Sequence, residues 1–264
     1  MIDAFADALA AFTDAHGAPA LAAAMAVLFV AGFAKGLVGF ALPLIAVSGM
    51  GAFLPAQTAV ALMIVSALVS NIWQTLRDGL GPAAATTRRF WRLNVTLLPM
   101  IFFVSQIVPG IDERLFFLTL GSCVVLFTLS QLAGLRAGFM ARAPAASEYG
   151  AGLVGGFFGG LAGIWGPPVT MYLIAIELPK AETMRALGMV FGLGSVALFA
   201  GHLVSGLLNP QTLPLSVLGV APVLAGMAMG FALNDRMDAR LFRRATLAVL
   251  LLTGLNLLRR GLTL

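Results

Sequence analysis

Lys35 lies inside a long apolar run, between Phe33-Ala34 and Gly36-Leu37. A cation in such a run is costly and marks a functional site, unless its stem carries the ammonium out to an interface. Gly39 and Pro43 follow it, and Gly163 and Pro167 recur in the same way further on. Each pair should break a helix, because Gly weakens it and Pro cannot continue it from the preceding turn. Pro suits the first turn of a new helix. A helix that starts inside an apolar layer turns free N–H groups and the positive end of its dipole into that layer. An ammonium between two such ends is chemistry for an anion, since helix N-termini suit carboxylate, sulfonate or phosphate oxygens.

The candidate binding residues gather at these breaks: Lys35, Gly36, Gly39, Phe40 and Pro43 at the first, and Gly163, Trp165, Gly166, Pro167 and Thr170 at the second. Phe40 and Trp165 could wall a pocket or simply pack. Thr170 and Tyr172 offer hydroxyls. Over 55–76, Ser66, Ser70 and Gln74 recur every four residues with Asn71 beside them, giving one polar helix face. Such faces commonly join helices. Asn71 and Ser195 are singled out because they occupy the same place in two repeated units. Arg185 follows Glu182 by three, which reads as an exposed ion pair or a gate. His202 could relay a proton, although a lone His near a helix end is commonly exposed.

Gly32-Phe-Ala-Lys-Gly-Leu-Val-Gly-Phe-Ala-Leu-Pro43 matches Gly156-Phe-Phe-Gly-Gly-Leu-Ala-Gly-Ile-Trp-Gly-Pro167 at a constant offset of 124 residues, which continues into Leu54-Pro55 and Leu178-Pro179. Asp112-Glu-Arg-Leu-Phe116 resembles Asp238-Ala-Arg-Leu-Phe242 at an offset of 126. The chain is two copies of one unit. Interrupted apolar segments in corresponding halves are the best sequence pointer to a transporter's binding site.

At 60% hydrophobic and 10% charged, the 264 residues lie far outside soluble composition. Apolar segments fall at about 19–34, 40–53, 55–76, 92–109 and 114–135, then 149–163, 167–177, 181–206, 213–233 and 240–258. The pieces after the breaks are roughly 16 Å long as helices, half a bilayer. The expected fold class is an all-α polytopic membrane protein of two inverted repeats. Each repeat has a Gly/Pro-broken, re-entrant-like hairpin plus three transmembrane helices. The expected organisation is an N-terminal extracytoplasmic segment (1–18), a first repeat (19–135), a cytoplasmic linker (136–148) and a second repeat (149–264).

If each broken hairpin turns back, 12 of the 16 Lys and Arg lie inside, three lie outside, and Lys35 is left at the first break. That asymmetry favours the turning-back topology and an extracytoplasmic N-terminus. The formal charge of +5 belongs to cytoplasmic loops and not to nucleic acid. Residues 1–17 carry Asp3, Asp7 and Asp14 and no basic residue, so they lack a signal-peptide n-region and are expected to be retained. The lone Cys123 makes an intrachain disulfide impossible and a thiol metal site improbable. No His-Glu-x-x-His, Gly-x-Ser-x-Gly or Walker loop occurs, which leaves a hydrolase or an ATP-driven pump without support. No cofactor is expected.

With both glycine-rich breaks, the chain resembles the sulfite exporter TauE/SafE family of membrane transporters over essentially its whole length. It departs at Phe40 and Trp165, where many relatives are richer in Gly. The resemblance implies transport, often export, of sulfite, sulfonates or other small organic anions across the bacterial inner membrane. The expected function is therefore a secondary transporter working by alternating access, with a small anion and the bilayer as partners. Proton coupling and a homo-oligomer are left open. Rival readings are a channel-like anion pore and a non-transporting scaffold subunit.

Overall fold

Glycine and proline set the helix boundaries that the apolar runs leave open. A computed structural model describes residues 2–76, 79–133, 142–234, 236 and 239–264. The first half holds α1 (Ile2–His16), α2 (Ala18–Val38), α3 (Leu42–Met50), α4 (Ala56–Leu76), α5 (Leu80–Arg89), α6 (Trp91–Ser105), a 3-10 turn at Val108–Gly110, and α7 (Glu113–Leu132). The second holds α8 (Pro144–Ala162), α9 (Gly166–Ala175), α10 (Lys180–Val204), α11 (Thr212–Leu218), α12 (Val220–Asn234) and α13 (Ala239–Thr263). The described residues form helices and connections only.

Helices α2 and α8 stop at the two breaks in the same way. Gly39 has φ 91° and Gly163 has φ 70°, left-handed conformations in which a side chain would be strained. Both half-helices then restart with Pro in their first turn and without a side-chain cap.

Packing follows the duplication. By sequence, α2 corresponds to α8, α4 to α10 and α7 to α13; by order, α6 corresponds to α12. The most extensive contacts pair α2 with α12 and α6 with α8, so partners exchange between halves, while α4 packs on α10 and α7 on α13. Glycine permits the exchange. A Cβ on Gly36 would lie 2.9 Å from the Phe231 nitrogen, and one on Gly160 would lie 2.7 Å from the Ile101 oxygen. The buried core runs through these crossings, with Leu28, Leu62, Phe116, Trp165 and Val223 inside it.

Several expectations change. The two arms of each break are unequal, 21 and 9 residues in the first and 19 and 10 in the second. Gly36 therefore lies inside α2, held helical by the close fit against α12, and Lys35 stands in the last turn of α2, not in the break. Helix α8 starts at Pro144, within the stretch expected to be linker. Two helices went unforeseen: α1, which buries Ala8 and Phe12, and the Ala-rich α5, which buries nothing. Most of the linker lies outside the described residues, as do Arg77, Arg136 and Asp238. Among the described residues, six stretches are long and apolar enough to cross a membrane: Ala18–Val38, Ala56–Leu76, Trp91–Gly110, Glu113–Leu132, Arg185–Val204 and Thr212–Asn234. The first of these shows that length alone does not force α2 to turn back.

Candidate functional site

The Lys35 stem leaves the last turn of α2 and reaches the crossing of α4 and α10. Its ammonium donates to Oδ1 of Asn71 on α4. It also lies 5.7 Å from the centroid of the Phe191 ring on α10. Both partners are uncharged, and among the described residues no carboxylate pairs with it. Lys35 and Asn71 are each only 2% exposed, so the ammonium does not snorkel to an interface. A buried charge is normally paired; this one has a single amide oxygen and an aromatic face.

The Phe191 ring is shared. On its other flank lies Trp165, with centroids 5.8 Å apart and planes tilted at 54°. Trp165 precedes α9 and rests on Gly159, where a Cβ would come 2.5 Å from its Cε3. Phe40, in the other break, lies on Gly166, where a Cβ would come 2.9 Å from its Cδ2. A Cβ on Gly163 would be 3.4 Å from Pro43 Cγ, Met63 Cε and Leu198 Cδ2. The two breaks therefore touch, beside the ammonium.

Most amides next to the breaking glycines already have partners. Gly39 N–H donates to the Lys35 carbonyl, Gly163 N–H to Gly159 and Ile164 N–H to Phe158. The expectation that amides following Gly39 and Gly163 stand free is thus corrected for Ile164, whose bond closes α8. Pro43, Pro167 and Pro168 have no N–H. The Trp165 and Gly166 amides make no backbone hydrogen bond among the described residues, and they stand at the positive end of α9.

Lys35, Gly39, Phe40, Pro43, Asn71, Gly163, Trp165, Gly166 and Pro167 come together. Gly36 does not join them, because it serves the α2–α12 contact. Ser195 is buried and donates to the Gly192 carbonyl of its own helix. Thr170 Oγ1 is buried without a hydrogen-bond partner. Arg185 is half-buried near the start of α10, while Glu182 pairs with Arg89 of α5 at 2.5 Å. His202, expected near an exposed helix end, is fully buried with Nδ1 3.5 Å from Ser205 Oγ. It lies eleven residues beyond Phe191, roughly 16 Å along α10. Tyr172 is buried and meets Phe90 edge-on at 6.4 Å.

Two side chains escaped the sequence. Phe191 could have been found one turn before Ser195 on the same helix face. Glu148, assigned to the linker, is 4% exposed. Its Oε1 accepts from Leu93 N–H at the start of α6, and Oε2 lies 3.6 Å from Arg92 Nη1. It caps α6 and pins α8 to it. A cavity of about 420 Å³ opens between α8 and α9, lined by Ala146, Gly150, Val154, Pro168 and Met171 among others. Its walls carry no charge, so it is not the anion site.

No curated protein and no solved structure matches the chain significantly. A family model does, over residues 24–257, a span that includes both breaks, Lys35, Asn71, Phe191 and Trp165. With six stretches fit to cross a membrane, this is a multi-pass membrane protein. The chain belongs to the sulfite exporter TauE/SafE family of membrane transporters.

Proposed function

We propose that this chain is a secondary transporter that carries a small sulfur-containing or organic anion across the bacterial inner membrane. Two inverted repeats rock against each other around the touching breaks, with the N-terminus outside the cytoplasm. The observation that carries the reading is the Lys35 ammonium, buried against only Asn71 and the Phe191 ring, beside two uncapped half-helices. A cation in this setting is stabilised when an anion displaces one of its neutral partners. The amides of Trp165 and Gly166 complete the donor set at the end of α9. Asn71 holds the ammonium between turnovers, and the reciprocal packing of the halves supplies two related bodies for the motion.

Flux of sulfite and simple sulfonates into proteoliposomes tests this. Wild type should show saturable, competable uptake, Lys35→Ala should lose it, and Lys35→Arg should keep part of it. Unsaturable flux points to a pore. Equal flux in all three removes Lys35 from the site, and no flux of any sulfur anion or carboxylate in wild type refutes the transport reading.

A further inference from the structure

The hydrogen-bond donors around Lys35 lie on one side only. They are the ammonium, the Asn71 amide and the two amides at the start of α9. Opposite them stand rings: Phe191 against the ammonium at 5.7 Å, Trp165 against Phe191 at 5.8 Å, and Phe40 on the backbone of Gly166. Met63 and Leu198 extend this apolar wall near Gly163. A bare oxyanion presents oxygens on every side, and those turned toward the rings would be buried without donors, which is costly. An anion with one acidic head and an apolar substituent matches the division: head toward Lys35, substituent between the rings.

Resting on the transport reading above, we propose that Phe191 is a specificity-determining residue, whose ring forms with Trp165 an apolar slot beside Lys35. The slot selects a sulfonate or carboxylate with a short apolar substituent over an inorganic oxyanion. Phe191 is suited to this because it touches both the cation and the indole. A change there alters the shape of the slot while leaving Lys35, Asn71 and the half-helix ends in place.

Uptake by the full chain in proteoliposomes is measured with sulfite, methanesulfonate, ethanesulfonate and propanesulfonate, each competed against the others. In wild type KM should fall along the series by up to about fourfold for each buried methylene. Phe191→Ala should bring the KM ratio of propanesulfonate to sulfite within about twofold of one, and Phe191→Tyr should keep the wild-type ratio. Phe191→Leu, which keeps most of the volume, covers the case of an alanine variant that does not fold; it should shift the preferred chain length. Sulfite favoured over every alkylsulfonate by wild type overturns the slot while the transport reading stands. So does an unchanged ratio in Phe191→Ala or Phe191→Leu with flux intact. Absence of all anion flux in wild type instead removes the reading on which the slot rests.

Discussion

Replacing Asn71 by leucine strips the Lys35 ammonium of its amide partner. The side chains are similar in volume, so packing is little disturbed and the loss is mostly electrostatic. A hydrogen bond to a charged group contributes about 1.5–3 kcal/mol. The Phe191 ring, at 5.7 Å from Nζ, remains in the variant and contributes about as much as it did before, so it does not make up the loss. For a chain somewhat above 250 residues, 1 kcal/mol moves Tm by about 2–4 °C. Asn71→Leu should therefore lower Tm by about 3–12 °C, read by tryptophan fluorescence in detergent at one fixed heating rate, since membrane proteins commonly unfold irreversibly. Lys35→Met removes the charge and leaves a buried amide without its donor, a smaller loss of about 1–3 kcal/mol. The double variant Lys35→Met, Asn71→Leu replaces both polar groups by apolar ones of similar shape, which is near neutral or stabilising. It should melt close to wild type and transport nothing. Additive losses in the double variant, within about 0.5 kcal/mol, would refute the pairing of Lys35 with Asn71.

Gly159→Ala places a methyl 2.5 Å from Trp165 Cε3 and 3.1 Å from Ile101 Cγ1. It should cost about 1–3 kcal/mol by overpacking, seen as a lower Tm, and the smaller ring of Trp165→Phe on the same background should recover part of it. Arg89 and Glu182 tie α5 to α10 through an ion pair whose side chains are 56% and 43% exposed. Breaking it by Arg89→Ala should change Tm by no more than about 1 kcal/mol equivalent, and swapping the two charges should restore whatever is lost.

Much of the fold was legible because glycine and proline act locally. Gly39, Pro43, Gly163 and Pro167 end and restart helices wherever they stand, so both breaks fell within a residue or two of their expected places. What the sequence misplaced depends on partners. Gly36 looks like part of the break until the α12 backbone is seen against it. Lys35 was read as a residue of the gap because a charge in an apolar run suggests irregular backbone. It is helical because its backbone lies in the α2–α12 contact while its stem alone reaches the site. Glu148 reads as linker by composition, yet it folds inward because the α6 N-terminus offers Leu93 N–H and Arg92 a partner. Phe191 gave no signal of its own, since an aromatic residue in an apolar helix is ordinary until its neighbours are known.

The duplication makes the two halves alike, but the site is made by where they differ. At the shared offset of 124, Lys35 corresponds to Gly159 and Ala41 to Trp165. Each half thus pairs one large side chain with one small one, in opposite order. In the second half the indole lies over Gly159, so that position admits no side chain; in the first, the small Ala41 leaves the matching position free to carry a long one. Phe191, whose counterpart is Ala67, then sits between the lysine of one half and the tryptophan of the other. A second lysine at 159 would meet the indole and would add a second buried ammonium near the first, which low dielectric makes strongly unfavourable. The exchange yields one cation flanked by an aromatic wall, and a single charged site where duplication alone would have made two.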